Sequence, residues 1–179
     1  MFESLRGAVG LQIARFRFRK SRETVISFSR SLSSAERALV ILPFSRTAIL
    51  PGQPVFDQLR RRYTEENITV VTDERGTPAA RFLPRCEVIR VAPADFTAAF
   101  LPRKEFLQRL LKRRYDVAID LNLDLVLPSA YICRESGARV RVGFARHRAD
   151  LFYNFQIHPN PSLGTQRLFE RMMTCLQMF

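Results

Sequence analysis

Asp120, near the end of the segment YDVAIDLN, is the carboxylate best placed for proton transfer, because it falls at the carboxyl end of a predicted strand, where open α/β sheets receive ligands. The same position suits a plainer task, capping the helix that follows. Asp124 shares both readings and favours the cap, while Asp57 lies on a predicted helix and reads as a solvated side chain. The turn ARHRAD groups Arg146, His147 and Arg148, which could meet a phosphate or stand in an unliganded surface loop. His147 and His158, the two histidines, form no metal-ligand pattern, so neither a metal nor a cofactor is expected. Cys86, Cys133 and Cys175 are odd in number and far apart, which favours reduced, buried thiols over disulfides or a zinc site. The chain has no GxSxG elbow, no GxGxxG turn and no Walker A loop, so seryl hydrolysis, dinucleotide binding and ATP binding lack their usual signatures.

Charge points toward an anionic partner without choosing one. The 179 residues carry 29 Lys plus Arg against 17 Asp plus Glu, a net charge of +12. Acidic phospholipid, a phosphorylated sugar, nucleic acid or an acidic protein would all respond to that field. The Arg clusters at 60–62, 112–114 and 146–148 sit at the ends of different elements and match no nucleic-acid-binding motif, so nucleic acid is not the expected partner. Apolar runs are too short to span a bilayer, and arginines break the region a signal peptide would need. The expectation is a cytoplasmic protein, with a peripheral place on the inner membrane as an option.

Two regions are predicted. Residues 1–37 form a basic extension in which Leu5, Val9, Ile13 and Phe16 make one apolar helical stripe, with Arg15, Arg17, Arg19, Lys20 and Arg22 as its basic surface. That stripe could lie on an anionic membrane, or pack on the domain or a protein partner. The serines around Ser33 and Ser34 read as a break. Residues 38–179 alternate short β-rich runs with helical patterns, the mark of a three-layer α/β domain with a mainly parallel sheet. Strands are predicted at 38–43, 67–73, 86–93, 115–122 and 138–145. Helices are predicted at 53–63, 102–115, about 125–136 and 165–178, the third of these stopping at Gly137 as a left-handed cap. Fifteen phenylalanines with no tryptophan point chiefly to the core, with a sticky subunit face as the alternative.

Several of these segments carry a resemblance. YDVAIDL at 115–121, SGA at 136–138 and RVGF at 141–144, followed by a basic turn, resemble glycosyltransferase family 9, which includes the lipopolysaccharide heptosyltransferases. PVFDQLRRRYTEENITVVTD is similar to that family's first helix and second strand. The likeness implies half of a GT-B fold: the Rossmann-like amino-terminal half, which receives a lipid-linked sugar acceptor, without the half that holds the nucleotide-sugar donor. In such enzymes the loop after the first strand carries a Gly-Asp pair whose Asp is the proposed base. Aligned on Pro54 as the helix-start proline, that pair is replaced here by Thr47 and Ala48. An alanine methyl cannot accept a proton, and general-base help is commonly worth about 10² to 10⁴ in rate.

The resemblance therefore implies a pseudoenzyme: an acceptor-side binding or scaffolding module of cell-envelope glycan metabolism. Arg46 and Thr47, with Arg146, His147 and Arg148, are its expected acceptor or phosphate contacts, and Asp120, ahead of Asp57, is the first candidate for a replacement acid. The alternatives are one half of a split transferase completed by a protein partner with a donor domain, or a subunit of a larger complex.

Overall fold

The computed structural model describes residues 2–19, 25–44 and 49–179. Arg46, Thr47, Ala48, Lys20 and Arg22 lie outside the described residues. The chain folds as α1 (Phe2–Arg19), α2 (Phe28–Ser33), β1 (Ala38–Ile41), α3 (Gln53–Arg62), β2 (Ile68–Thr72), β3 (Glu87–Arg90), α4 (Lys104–Leu110), β4 (Val117–Asp120), α5 (Leu127–Glu135), β5 (Val140–Phe144), β6 (Phe155–Ile157) and α6 (Thr165–Gln177). The six strands form one sheet in the order β3-β2-β1-β4-β5-β6, and every pairing is parallel. The chain starts at β1, winds outward to β3, then returns to lay β4 on the other side of β1. That reversal opens a crevice above the carboxyl ends of β1 and β4.

Alternation along the strands builds two cores. Val40, Leu42, Val70, Ile119 and Val142 meet α2, α3 and α6 on one face. Leu39, Ile41, Val71 and Ala118 meet α1, α4 and α5 on the other. Central strands buried on both sides favour apolar runs, as in ALVI of β1, and VRVGF of β5 is buried throughout with Arg141 as its one charged residue. The outer strand β3 instead exposes Glu87 and Arg90, charges that blunt a sheet edge. Among the described residues, Phe56, Phe106, Phe144, Phe152 and Phe169 are fully buried and place much of the aromatic load in these cores.

The amino-terminal extension belongs to both cores. Leu32 of α2 is fully buried on one face of the sheet and Ala14 of α1 on the other. Within the serine-rich segment expected as a break, Ser27 caps α2 by accepting the Arg30 N–H at 3.4 Å, and Ser34 closes it. Local side-chain bonding that competes with longer helices here makes a short one. The apolar run LFYNFQI supplies a sixth strand. Helix α4 ends at Leu110, earlier than its pattern implied, and the Tyr115 hydroxyl donates to the Leu110 carbonyl at 3.1 Å. Gly137 has φ +73° directly after α5, as a left-handed cap requires.

Candidate functional site

The loops leaving β1, β2, β3 and β4 enclose a cavity of about 430 Å3 at the carboxyl edge of the sheet, lined in part by Phe44, Asp73, Val91, Phe96, Phe100 and Val126. Its floor is tied together by one acid and one base. The Asp73 Oδ1 accepts the N–H of Arg75 at 3.0 Å and of Gly76 at 3.1 Å, and its Oδ2 pairs with the Arg75 guanidinium. That guanidinium also donates to the Phe44 carbonyl at 2.5 Å, which links the end of β2 to the end of β1. The Asp73 side chain keeps 22% of its surface exposed, so the carboxylate edges the cavity while already partnered.

Arg6 of α1 roofs one wall. Its Nε donates to the Ala98 carbonyl at 2.5 Å and its guanidinium lies 4.5 Å from the centre of the Phe100 ring. Phe100 itself has φ +59°, a left-handed conformation that costs a bulky residue about 1–3 kcal/mol. The surrounding turn enforces it. Thr97 N–H donates to the Leu101 carbonyl at 2.8 Å, and the Phe100 N–H donates back to the Thr97 carbonyl at 3.0 Å. A strained aromatic under an arginine, facing a cavity, is an arrangement suited to stacking against a ring. Apart from Thr97 the remaining lining residues are apolar, which suits a ring or acyl segment against Phe and Val, with hydroxyls met by Asp73.

Asp120 is not among the residues lining this cavity, although it ends the neighbouring strand. It is 0% exposed at the end of β4. Its Oδ1 accepts the Asn122 N–H at 3.0 Å and the Asn122 Nδ2 at 2.7 Å, while Oδ2 accepts the Tyr153 hydroxyl at 2.7 Å. Burial pushes its carboxyl above the usual range, against the lowering pull of those hydrogen bonds and of Ser129. Asp120 thus closes the strand-to-loop turn, and the residue capping α5 is Val126, with no side-chain bond. Nor does Asp124 cap that helix. Its side chain is 88% exposed and reaches Arg146 at 3.4 Å. Asp57 pairs with Arg60 on the surface of α3.

The basic turn after β5 also stands at the carboxyl edge, apart from the residues lining the cavity. Arg148 has φ +64° and its Nε donates to the His147 Nε2 at 3.1 Å, while Arg146 pairs with Asp124. His147 and Arg148 are exposed. On α1, Arg17 makes a two-pronged pair with Glu135 at 2.8 and 3.0 Å, and Arg15 and Arg19 are exposed. The three cysteines are unpaired; only Cys133 is fully buried, while burial beside Glu65 and Glu87 pushes the half-buried Cys86 thiol up to about 11. Among the described residues no helix is long and apolar enough to cross a membrane.

Sequence reasoning missed Phe44, Asp73, Val91, Phe100 and Arg6. Phe44 follows the predicted strand 38–43, Asp73 ends the predicted strand 67–73 and Val91 lies near the end of the predicted strand 86–93, positions at the carboxyl edge that could have singled them out. Arg6 carried no such signal, because only the docking of α1 brings it to Phe100.

An open parallel α/β sheet with helices on both faces and a cavity at its carboxyl edge has the architecture of a glycosyltransferase half-domain, Rossmann-like in topology. Its structure resembles that of the E. coli heptosyltransferase WaaC with ADP-2-deoxy-2-fluoro heptose, with a TM-score of 0.59 and 18% identity over 80% of this chain and 49% of that one. WaaC with ADP gives 0.53 and 20% over 78% and 46%. The chain thus spans about half the length of these neighbours. A family model matches residues 88–179, just over half of the 179 residues, and the chain belongs to that family, DUF6913, a family of unknown function. No curated protein matches the chain.

Proposed function

We propose that this chain is a heptosyltransferase-like, acceptor-side module that binds a phosphorylated or lipid-linked sugar in cell-envelope glycan metabolism and does not transfer sugar by itself. The cavity at the carboxyl edge carries the reading, since it lies where folds of this type receive ligands and joins aromatic walls to Asp73 and Arg6. One sequence feature and one structural feature support the absence of turnover. Ala48 stands where the glycosyltransferase family 9 pattern expects its base, and Asp120, the replacement acid named from sequence, is sealed beneath Tyr153 and Asn122.

Backbone amide NMR tests the proposal. Phosphorylated core sugars released from lipopolysaccharide should shift Phe44, Asp73, Val91 and Phe100 in a saturable way, and Phe100→Ala should weaken that binding about tenfold by removing the ring. ADP-heptose should give no saturable shift. Sugars that leave these amides unmoved, or transfer of heptose by the chain alone seen by product mass spectrometry, would overturn it. Turnover that appears only on adding a separate donor domain would instead favour one half of a split transferase.

A further inference from the structure

Helix α1 carries two apolar faces, and only one of them is used. Gly10 and Ala14 are buried, with Leu11 and Phe18 half-buried beside them, and this face packs on α5 and the 96–100 loop. The contact is close: a Cβ placed on Gly10 would fall 2.1 Å from the Ala99 carbonyl oxygen. Leu5, Val9, Ile13 and Phe16 recur at helical spacing on the opposite side and remain 63%, 47%, 46% and 75% exposed. The structure therefore removes one expectation from sequence, that this stripe packs on the domain.

We infer that α1 lies in the plane of an anionic phospholipid bilayer, with Leu5, Val9, Ile13 and Phe16 in the acyl boundary. Charge decides for lipid over other occupants. At helical spacing Arg15 and Arg19 flank the stripe on one side at the level where acidic headgroups sit, while Arg6 and Arg17 on the other side are held against the domain by Ala98, Phe100 and Glu135. The Arg15 and Arg19 side chains make no hydrogen bond or ion pair with the described residues. An anionic headgroup layer offers one sign of charge along the whole helix, and each arginine near it strengthens the attraction. The net charge of +12 adds long-range attraction to the same surface. Because the inner face anchors α1 to the folded domain, docking would hold the whole domain at the headgroup layer, with the Arg6 wall of the cavity toward it. The docking stands whether or not the cavity takes the sugar proposed above.

Flotation of the full chain with vesicles tests it. Vesicles of phosphatidylcholine mixed with phosphatidylglycerol should carry the protein, and phosphatidylcholine alone should not. Val9→Glu with Phe16→Glu, and separately Arg15→Glu with Arg19→Glu, should each reduce flotation about tenfold or more, and added salt should weaken it. All four side chains are exposed, so the thermal transition of each variant should match the parent. Val9→Ser with Phe16→Ser serves as a milder second variant. Failure of the parent to float, or undiminished flotation of the variants, overturns the inference. So does a dimer in sedimentation analysis that Val9→Glu with Phe16→Glu abolishes while vesicles capture nothing.

Discussion

At the scale of residues, the motif that carries the resemblance turns out to be bonded into the fold. Asp116 accepts the backbone N–H of Glu36 and Arg37 at 3.0 and 2.9 Å, fastening the start of β4 to the start of β1. Arg141 is nearly buried and donates to the Phe152 and Ala138 carbonyls at 2.9 and 3.0 Å. Gly143 has no room for a side chain, because an added Cβ would come within 2.5 Å of the Tyr153 ring. That ring in turn delivers its hydroxyl to Asp120. Removing the hydroxyl should therefore cost more than an ordinary hydrogen bond, since it strands a buried carboxylate oxygen. Tyr153→Phe is expected to lower unfolding free energy by about 1–3 kcal/mol, read from denaturant titration. The pH dependence has a definite sign. A raised carboxyl pKa means that the folded chain holds the Asp120 proton more tightly than the unfolded chain does. Its stabilising contribution is complete below the ordinary value of 3.8 and is lost as pH climbs toward the raised one. The stability advantage of the parent over Asp120→Asn should accordingly shrink with rising pH across that interval. A constant difference would show that Asp120 titrates as it does unfolded.

Elements were legible in the sequence to the degree that their patterns had one explanation. The buried strands β1, β2, β4 and β5 announced themselves because both faces are covered and their runs are mainly apolar and β-branched. Three-residue β6 did not, since so short an apolar run has no readable period. In α1 the helix was legible and its orientation was not. The fully buried residues there are small, Gly10 and Ala14, with Leu11 and Phe18 beside them, while the stripe Leu5, Val9, Ile13 and Phe16 is exposed, which inverts the assumption that the longest apolar stripe points inward. What selects the small face is proximity: Gly10 lets the helix approach the Ala99 carbonyl, and Arg17 closes the far end onto Glu135. Gly10→Ala should lift the helix. Its Cβ would also crowd Leu127 at 2.8 Å, so the expected loss is about 1–3 kcal/mol, with faster tryptic cleavage between Arg15 and Arg19. Arg17→Ala should do far less, within about 1 kcal/mol, because the arginine is 56% exposed and its pair is screened by water. The candidate site was the least legible part, since its walls come from four loops and one distant helix that only the fold brings together.

For the whole molecule, the sheet is a shared partition between two cores, and this bears on how the chain should come apart. Leu39 and Ile41 face one core while Val40 and Leu42 face the other, so β1 cannot leave one side without exposing the other. The loop into α3 is likewise held by the last helix, where Gln166 accepts the Gly52 N–H at 2.9 Å and donates to the Leu50 carbonyl at 2.7 Å. The first 37 residues are wired in on both faces through Ala14 and Leu32. An appended tail would melt separately; an extension that fills both cores should not. Thermal unfolding followed by far-ultraviolet and tyrosine near-ultraviolet signals should therefore give one coincident transition. Removing residues 1–37 should lower its midpoint by more than 10 °C, because burying Leu32 alone is worth about 2–3 kcal/mol and the 1 kcal/mol equivalent for a chain of this size is about 2–4 °C. Two separated transitions, or a truncated chain with an unchanged midpoint, would mean that the extension rests on the sheet without completing it.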